Sequence, residues 1–243
     1  MIALVQKEVG SFFSSLTGYI VIIVFLVING LFIWVFPGEL NIPDSGYATL
    51  DTLFIISPWV FLFLVPAVTM RMFSEEKKSG TMELLLVRPL TDLQIVLAKF
   101  FAAVVLVLIS LLPTLVYVWS VYSLGNPVGN LDTGAIWGSY IGLFFLAGVY
   151  ASIGIFSSSL TENQIVAFII AVLVSFFFFT GFEMLSALPL PEAIEGLLLY
   201  SGINEHYRSI SRGVVDTRDL VYFVSVIAIF IFLTRTVLQS RKW

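Results

Sequence analysis

Charged side chains are concentrated in one segment of this 243-residue chain, residues 71–94, which lies between long apolar stretches. Its basic and acidic residues are equal in number: Arg71, Lys77, Lys78 and Arg88 against Glu75, Glu76, Glu83 and Asp92. Side chains of opposite charge that stay in water orient a binding partner and speed its encounter with a surface. The segment therefore indicates contact with a soluble partner.

The composition of the chain explains why this segment stands out. Hydrophobic residues make up 59% of the chain and charged residues only 12%, with a mean hydropathy of +1.02. A soluble domain of this length usually carries about 25% charged residues. The absence of cysteine excludes a disulfide framework and a thiolate metal site. The composition predicts an all-α polytopic membrane protein and excludes an ordinary soluble domain.

Six apolar runs approach or exceed the roughly 20 residues that a transmembrane helix needs, at about residues 18–36, 54–70, 95–122, 136–157, 165–187 and 220–236. Residues 1–16 predict an amphipathic interfacial helix, with Val5, Val9, Phe12 and Leu16 on one face. Residues 188–217 hold an apolar patch too short to span, which predicts a re-entrant or interfacial extracytoplasmic segment. We expect residues 1–243 to form a single transmembrane domain.

Local signals predict how several of these helices begin, bend and pack. Thr91-x-x-Gln94 and Thr161-x-x-Gln164 are typical of capping boxes and would open spans 3 and 5. Span 3 is longer than a bilayer requires, so we expect it to tilt, to kink at Pro113 or to project beyond the lipid. Small residues in span 4 predict close helix approach: Gly142, Gly148, Ala151 and Gly154.

The distribution of basic residues predicts the orientation of the chain. Six spans place both termini on the same side as residues 71–94. Nine basic residues lie on that side, against three on the other: Lys7, Arg71, Lys77, Lys78, Arg88, Lys99, Arg235, Arg241 and Lys242, against Arg208, Arg212 and Arg218. The positive-inside rule then predicts that residues 71–94 and both termini lie in the cytoplasm. We expect a multi-pass protein of a bacterial cytoplasmic (inner) membrane.

Three stretches of sequence resemble, in order, the permease subunits of the ABC-2 transporter family. The first is Phe73-x-Glu-Glu-Lys-x-x-Gly-Thr-x-Glu-x-Leu-Leu-x-x-Pro89, between spans 2 and 3. The second is Ala151-x-x-Gly-x-x-Ser-Ser-Ser-Leu-Thr-x-Asn-Gln-x-x-Ala167, and the third is His206-Tyr-Arg-x-Ile-x-x-Gly213-x-x-Asp216-x-x-Asp219-x-x-Tyr222. Within the family the likeness is greatest to permeases associated with gliding motility.

The resemblance implies one half of a dimeric pore, paired with a second permease copy or a different membrane subunit, and driven by a separate cytoplasmic ABC ATPase. That partner would bind ATP and Mg, since this chain has no G-x-x-x-x-G-K-[ST] phosphate loop and no cofactor or metal is expected in it. The chain itself is thus not expected to be an enzyme. The resemblance places ATPase docking in a coupling helix, carried by Phe73, Glu75, Glu76, Lys77, Gly80, Thr81, Glu83, Leu85, Leu86 and Pro89.

Within this segment, Gly80-Thr81 would supply the turn and N-cap, and Glu83 would lie in the first helical turn, where the helix dipole favours an acid. Leu84, Leu85 and Leu86 would then pack against neighbouring helices, and Pro89 would end the element. The alternative for residues 71–94 is a solvated loop whose acids cap a helix.

Other functions of the chain stay open, or are rejected because the residues that they require are missing. An ion- or proton-coupled secondary transporter is the alternative function, although it would usually show intramembrane charges and internal repeats. Glu183, near the end of span 5, is a candidate residue of a transport pathway, or a side chain that reaches lipid headgroups.

Glu75-Glu76 resembles the glutamate pair of membrane-embedded proteases, but the position at which that motif needs an arginine is Gly80 here. His206 is the only histidine and gives a poor metal-ligand set.

Overall fold

The computed structural model describes residues 1–82, 90–189 and 191–240, without the side chains of Thr17 and Glu192. Within these ranges the chain is helical and contains no strand. Six helices of the described residues are long and apolar enough to cross a membrane: Gly18–Val35, Asp51–Lys78, Asp92–Leu124, Thr133–Leu160, Gln164–Ser186 and Thr217–Gln239. These are spans 1 to 6 below. The chain is an all-α polytopic membrane protein, as its composition predicted.

The helices of the first half are α1 (Ile2–Phe13), α2 (Leu16–Gly30), α3 (Ile42–Ser45), α4 (Asp51–Thr69), α5 (Arg71–Lys78), α6 (Asp92–Leu111) and α7 (Leu115–Leu124). Span 1 ends in a π-helical turn, Leu31–Val35, before Pro37-Gly38. Span 2 consists of α4 and α5. Span 3 consists of α6 and α7, joined by the 3₁₀ turn Leu112–Thr114, so the α-helix is interrupted at Pro113, where a kink was one of the expectations.

The helices of the second half are α8 (Thr133–Leu160), α9 (Gln164–Phe176), α10 (Phe182–Ser186), α11 (Glu192–Ser201), α12 (Ile203–Ser211) and α13 (Thr217–Gln239). Helix α8 is span 4 and α13 is span 6. Span 5 consists of α9, the π-helical turn Phe177–Gly181 and α10. Two short helices, α11 and α12, thus occupy most of residues 188–217.

One predicted capping box is confirmed and the other is wrong. The Thr91 hydroxyl accepts from the Gln94 amide, and the Gln94 side chain accepts from the Thr91 amide, at the start of α6. At the start of α9 the N-cap is Asn163, whose side-chain oxygen accepts from the Ile165 amide. Thr161 instead accepts from the Asn163 amide. Asparagine is a better N-cap than threonine, and its position moves the helix start by two residues.

Span 4 lies at the centre of the bundle, where α8 contacts α4, α5, α6, α9, α12 and α13. Its small residues allow these contacts, as predicted. A Cβ atom on Gly154 would lie 1.9 Å from Oγ1 of Thr69 in span 2, and one on Gly142 would lie 3.1 Å from the ring of Tyr207 in α12. Spans 1, 5 and 6 bury much less of their surface within the chain.

Helix α1 packs against α6 and ends three residues earlier than the predicted amphipathic helix. Leu4 and Phe12 are buried, and Val5 and Val9 pack partly buried against the core. Leu16 was predicted on the same face but is exposed, because the chain turns at Ser14 and Ser15 and Leu16 begins α2. The placement of α1 along a membrane surface remains a prediction.

The start of the charged segment differs from the prediction. Span 2 was expected to end at residue 70, but the helix continues through α5 to Lys78. Buried Met72 and Phe73 fix one face of this extension, and Ser74 donates to the carbonyl of Met70. Burial of these side chains compensates for the charge density that suggested a loop.

Candidate functional site

The extension α5 presents two different faces. Met72, Phe73 and Lys77 are buried against the bundle, whereas Glu75 and Lys78 are exposed. Gly80, which follows, has a φ of +69°, a conformation that glycine adopts at little cost, and its amide donates to the carbonyl of Lys77. This is the turn that was predicted at Gly80.

A buried lysine holds the inner face of α5. Lys99, in α6, is 1% exposed, and its ammonium group uses all three donors. It donates to Oε1 of Glu76 at 3.0 Å, to Oε1 of Glu8 at 3.2 Å and to the carbonyl of Met72 at 2.6 Å. The same ammonium lies 5.0 Å from the centre of the Phe73 ring. One side chain therefore joins α1, α5 and span 3.

A second lysine completes the cluster at its outer edge. Lys7 is largely exposed and lies 3.6 Å from Glu8 and 3.8 Å from Glu76. Two cations thus face two carboxylates, which leaves the cluster without net charge. The second carboxylate oxygen of Glu76 is buried and has no hydrogen-bond partner among the described residues. We call Lys7, Glu8, Glu76 and Lys99 the charge cluster.

The end of span 4 holds α5 from another side. The Ser158 hydroxyl accepts from the amides of Phe73 and Ser74, at 2.9 and 3.0 Å, and donates to the carbonyl of Met70 at 2.8 Å. The Lys77 ammonium donates to the carbonyl of Ser159. These bonds satisfy backbone groups where α4 meets α5, so α5 is tied to span 4 as well as to span 3.

The predicted docking residues fall into three groups in this geometry. Glu75, Gly80 and Thr81 are exposed at the surface. Glu76 and Lys77 turn inward, to Lys99 and to Ser159, and Phe73 is fully buried. The remaining predicted residues lie outside the described residues: Glu83, Leu85, Leu86 and Pro89. The structure thus brings only part of the predicted set together on one surface.

An open groove lies beside the exposed face of α5. It has a volume of about 550 Å³ and is lined by Lys78, Glu162, Asn163, Gln164 and Ile165. The lining carries one basic and one acidic side chain as well as two amides. A soluble partner that contacts α5 would meet the start of span 5 at the same surface.

Three residues of this site had no docking role in the sequence reasoning. Glu8, Lys99 and Ser158 lie in separate segments, 91 residues apart for Glu8 and Lys99. Lys99 entered the sequence analysis only as one of the basic residues on the side of residues 71–94. A lone lysine among apolar residues was the available signal, because an intramembrane or buried charge needs a partner.

The opposite end of the bundle has a second group of polar contacts, centred on α12. Glu183 is about half exposed and accepts from Asn204 at 2.8 Å and from Arg208 at 3.4 Å. The Tyr207 hydroxyl donates to the carbonyl of Phe54 at 2.7 Å. Burial raises the pKa of the Tyr207 phenol, so the hydroxyl stays protonated and keeps this bond. Glu183 therefore lies in an ion pair near the end of span 5.

Polar groups within spans 1, 2 and 5 make hydrogen bonds that stabilise helix packing. Asn29 donates to the carbonyl of Phe25 and accepts from Ser57 at 3.1 Å. Thr180 donates to the carbonyl of Phe176 within its own span.

Six apolar helices with span 4 buried among them, and a charged helical extension tied to one end, define a multi-pass membrane domain. The model of the ABC-2 family transporter proteins matches residues 39–234, which is most of the chain. The chain belongs to this family and is a permease subunit of an ABC exporter, the non-catalytic membrane part of a transporter. No curated protein matches the chain.

Proposed function

We propose that this permease is driven by a separate cytoplasmic ABC ATPase that docks on residues 71–94, and that the charge cluster transmits the motion of the ATPase into the membrane. The observation that carries the proposal is the burial of Lys99 between Glu8 and Glu76. A docking segment transmits force only if it is fixed to the helices that must move. Lys99 and Ser158 fix α5 to α1, span 3 and span 4.

The exposed face of α5 and the neighbouring groove supply the contact surface. Glu75 and Lys78 offer opposite charges to the ATPase, and Glu162 lies across the groove. Charged groups on an exposed rim govern the encounter rate and the specificity of a complex more than its affinity. ATP and Mg would be bound by the partner, not by this chain.

The excess of basic residues on the side of α5 supports a cytoplasmic location for this surface and for both termini, in a bacterial inner membrane. Right-side-out vesicles test this directly. A protease added outside should spare residues 75–78, and cleavage there would overturn the orientation.

The pore is proposed to be a dimer of this chain with a second copy or with a different membrane subunit. A role in gliding motility is proposed on the likeness of the three sequence stretches alone. Purification of the tagged chain from its native cell in mild detergent identifies its partners. A stoichiometric ABC ATPase with vanadate-sensitive activity is the expected result, and a chain that reproducibly purifies alone and inactive would contradict the proposal.

Gly80→Pro tests most directly whether the turn at Gly80 belongs to the docking surface. Proline cannot adopt a φ of +69° and removes the amide that donates to Lys77. Gly46 is the matched control, because it lies in another loop and its φ is +70°. A Cβ atom at either glycine would meet no other atom within 4 Å. We expect Gly80→Pro to lower ATPase association and stimulated ATP hydrolysis while Gly46→Pro leaves both unchanged. Equal behaviour of the two variants would exclude docking at this turn.

A further inference from the structure

A buried polar pair joins α12 to the first turn of span 6, at the end of the bundle opposite Lys99. Nδ1 of His206 lies 2.7 Å from Oδ1 of Asp219, and Nε2 lies 2.9 Å from the carbonyl oxygen of Tyr200. His206 and Asp219 are both more than nine-tenths buried. Neither residue takes part in the proposed docking surface.

The two contacts of His206 require more protons than a neutral ring and an ionised carboxylate hold together. A neutral imidazole has one N–H donor and one lone pair, whereas a carbonyl and a carboxylate oxygen only accept. A neutral ring beside an ionised Asp219 would point its lone pair at one of these oxygens and lose that hydrogen bond. Both contacts are satisfied only when one further proton is present, on the ring or on the carboxyl group.

Two features of the surroundings place that proton on the ring. Asp219 lies in the first turn of α13, where the helix dipole favours a negative charge. The imidazole stacks on the ring of Tyr222, with centroids 3.9 Å apart and planes 20° apart, and an aromatic face attracts a cation. We propose that His206 and Asp219 form a proton-binding site, in which the imidazolium ring fastens α12 to span 6.

The other described charged groups on the neighbouring helices do not replace the imidazolium as the counter-charge of Asp219. Apart from Asp219, the described charged side chains on α11, α12 and the start of α13 are exposed: Glu195, Glu205, Arg208, Arg212, Asp216 and Arg218. Helix α8, which packs against α12, has no charged residue in its sequence. Oδ2 of Asp219 has no hydrogen-bond partner among the described residues, so the imidazolium is the cation in contact with this carboxylate.

Release of the proton would loosen α12. The neutral ring keeps one of its two hydrogen bonds. At the other ring nitrogen, a lone pair faces an acceptor oxygen and no hydrogen bond forms. An unmade buried hydrogen bond is costly, so we expect the local opening of α12 to increase about tenfold or more. The site is therefore closed at low pH and opens as the pH rises through the release of the proton.

The only histidine of the chain can be observed directly. The full-length chain is labelled with ¹⁵N-histidine, carries a purification tag without histidine, and is placed in lipid bilayers for solid-state NMR. At pH 7.5 a solvent-exposed histidine is mostly neutral. We expect both ring nitrogens of His206 to be protonated at this pH. A ring that carries a single N–H at pH 7.5 would overturn the proposal.

Asp219→Asn removes the need for the additional proton while keeping both hydrogen bonds of the His206 ring. The Asn amide donates to Nδ1 while Nε2–H donates to the Tyr200 carbonyl, so a neutral ring satisfies both positions. We expect a neutral ring at pH 7.5 in this variant and, after correction for the intrinsic rate, hydrogen exchange in residues 203–211 that no longer rises with pH. Glu205→Gln, on the exposed face of α12, should keep the wild-type spectrum and pH dependence. If the His206 ring of Asp219→Asn had the wild-type protonation, Asp219 would not be the group that stabilises the imidazolium.

Discussion

Replacement of Lys99 by methionine tests whether the charge cluster supports the docking helix. Methionine keeps much of the apolar volume of lysine but removes three hydrogen bonds, to Glu8, Glu76 and the Met72 carbonyl. Removal of one partner from a buried ion pair typically costs about 3–5 kcal/mol, because the opposite charge stays buried. Glu8 and Glu76 retain some exposure and the neighbouring Lys7, so we expect the lower end of this range, about 3 kcal/mol.

The measurement is the thermal unfolding midpoint of the purified chain, compared with that of Lys7→Met. One kcal/mol shifts the midpoint by about 2–4 °C in a protein of this size, so Lys99→Met should lower it by about 6–12 °C. Lys7 is largely exposed, and its pairs are worth at most about 1 kcal/mol. Equal midpoints for the two variants would refute the assignment of Lys99 as the centre of the cluster.

A triple variant separates the charge from the packing. Lys99→Met combined with Glu8→Gln and Glu76→Gln leaves no buried charge uncompensated, since the remaining Lys7 is largely exposed, and neutral replacement of a buried ion pair is often tolerated. We expect this variant to recover most of the lost stability. Its stimulation of the ATPase should nevertheless stay below that of the wild type, because the charge-assisted links between α1, α5 and span 3 are gone. Full recovery of both properties would show that the cluster has no role in coupling.

Three further substitutions test other contacts of the bundle. Gly154→Ala places a Cβ atom against Thr69 and should cost about 1–3 kcal/mol, whereas Gly10→Ala in α1, where the space is open, should not destabilise the chain because alanine favours a helix more than glycine does; unfolding midpoints of the two compare them directly. Ser158→Ala leaves the amides of Phe73 and Ser74 without their acceptor and should cost about 1–3 kcal/mol, with faster hydrogen exchange at both amides; unchanged exchange would contradict the link to span 4. Tyr207→Phe removes the donor to the Phe54 carbonyl and should cost about 1 kcal/mol, without a change in ATPase binding at the other end.

Features with a local cause could be predicted from the sequence. Apolar runs of sufficient length determine the six spans, since each span satisfies its own backbone hydrogen bonds in lipid. Thr91 and Gln94 cap α6 because both partners lie within one turn, and Pro113 interrupts span 3 because it lacks an amide proton. Thr161 shows the limit of this reasoning, because a better cap two residues later moved the start of α9.

Features that depend on distant residues were decided by the tertiary structure. The sequence by itself determined the membrane class, the spans and the family of the chain, because those depend on composition and on residues close together along the chain. It did not determine that α5 continues span 2, that Lys99 reaches Glu8 across 91 residues, or that His206 contacts Asp219. A buried charge is tolerated only beside its partner, and which partner is available depends on how the helices pack.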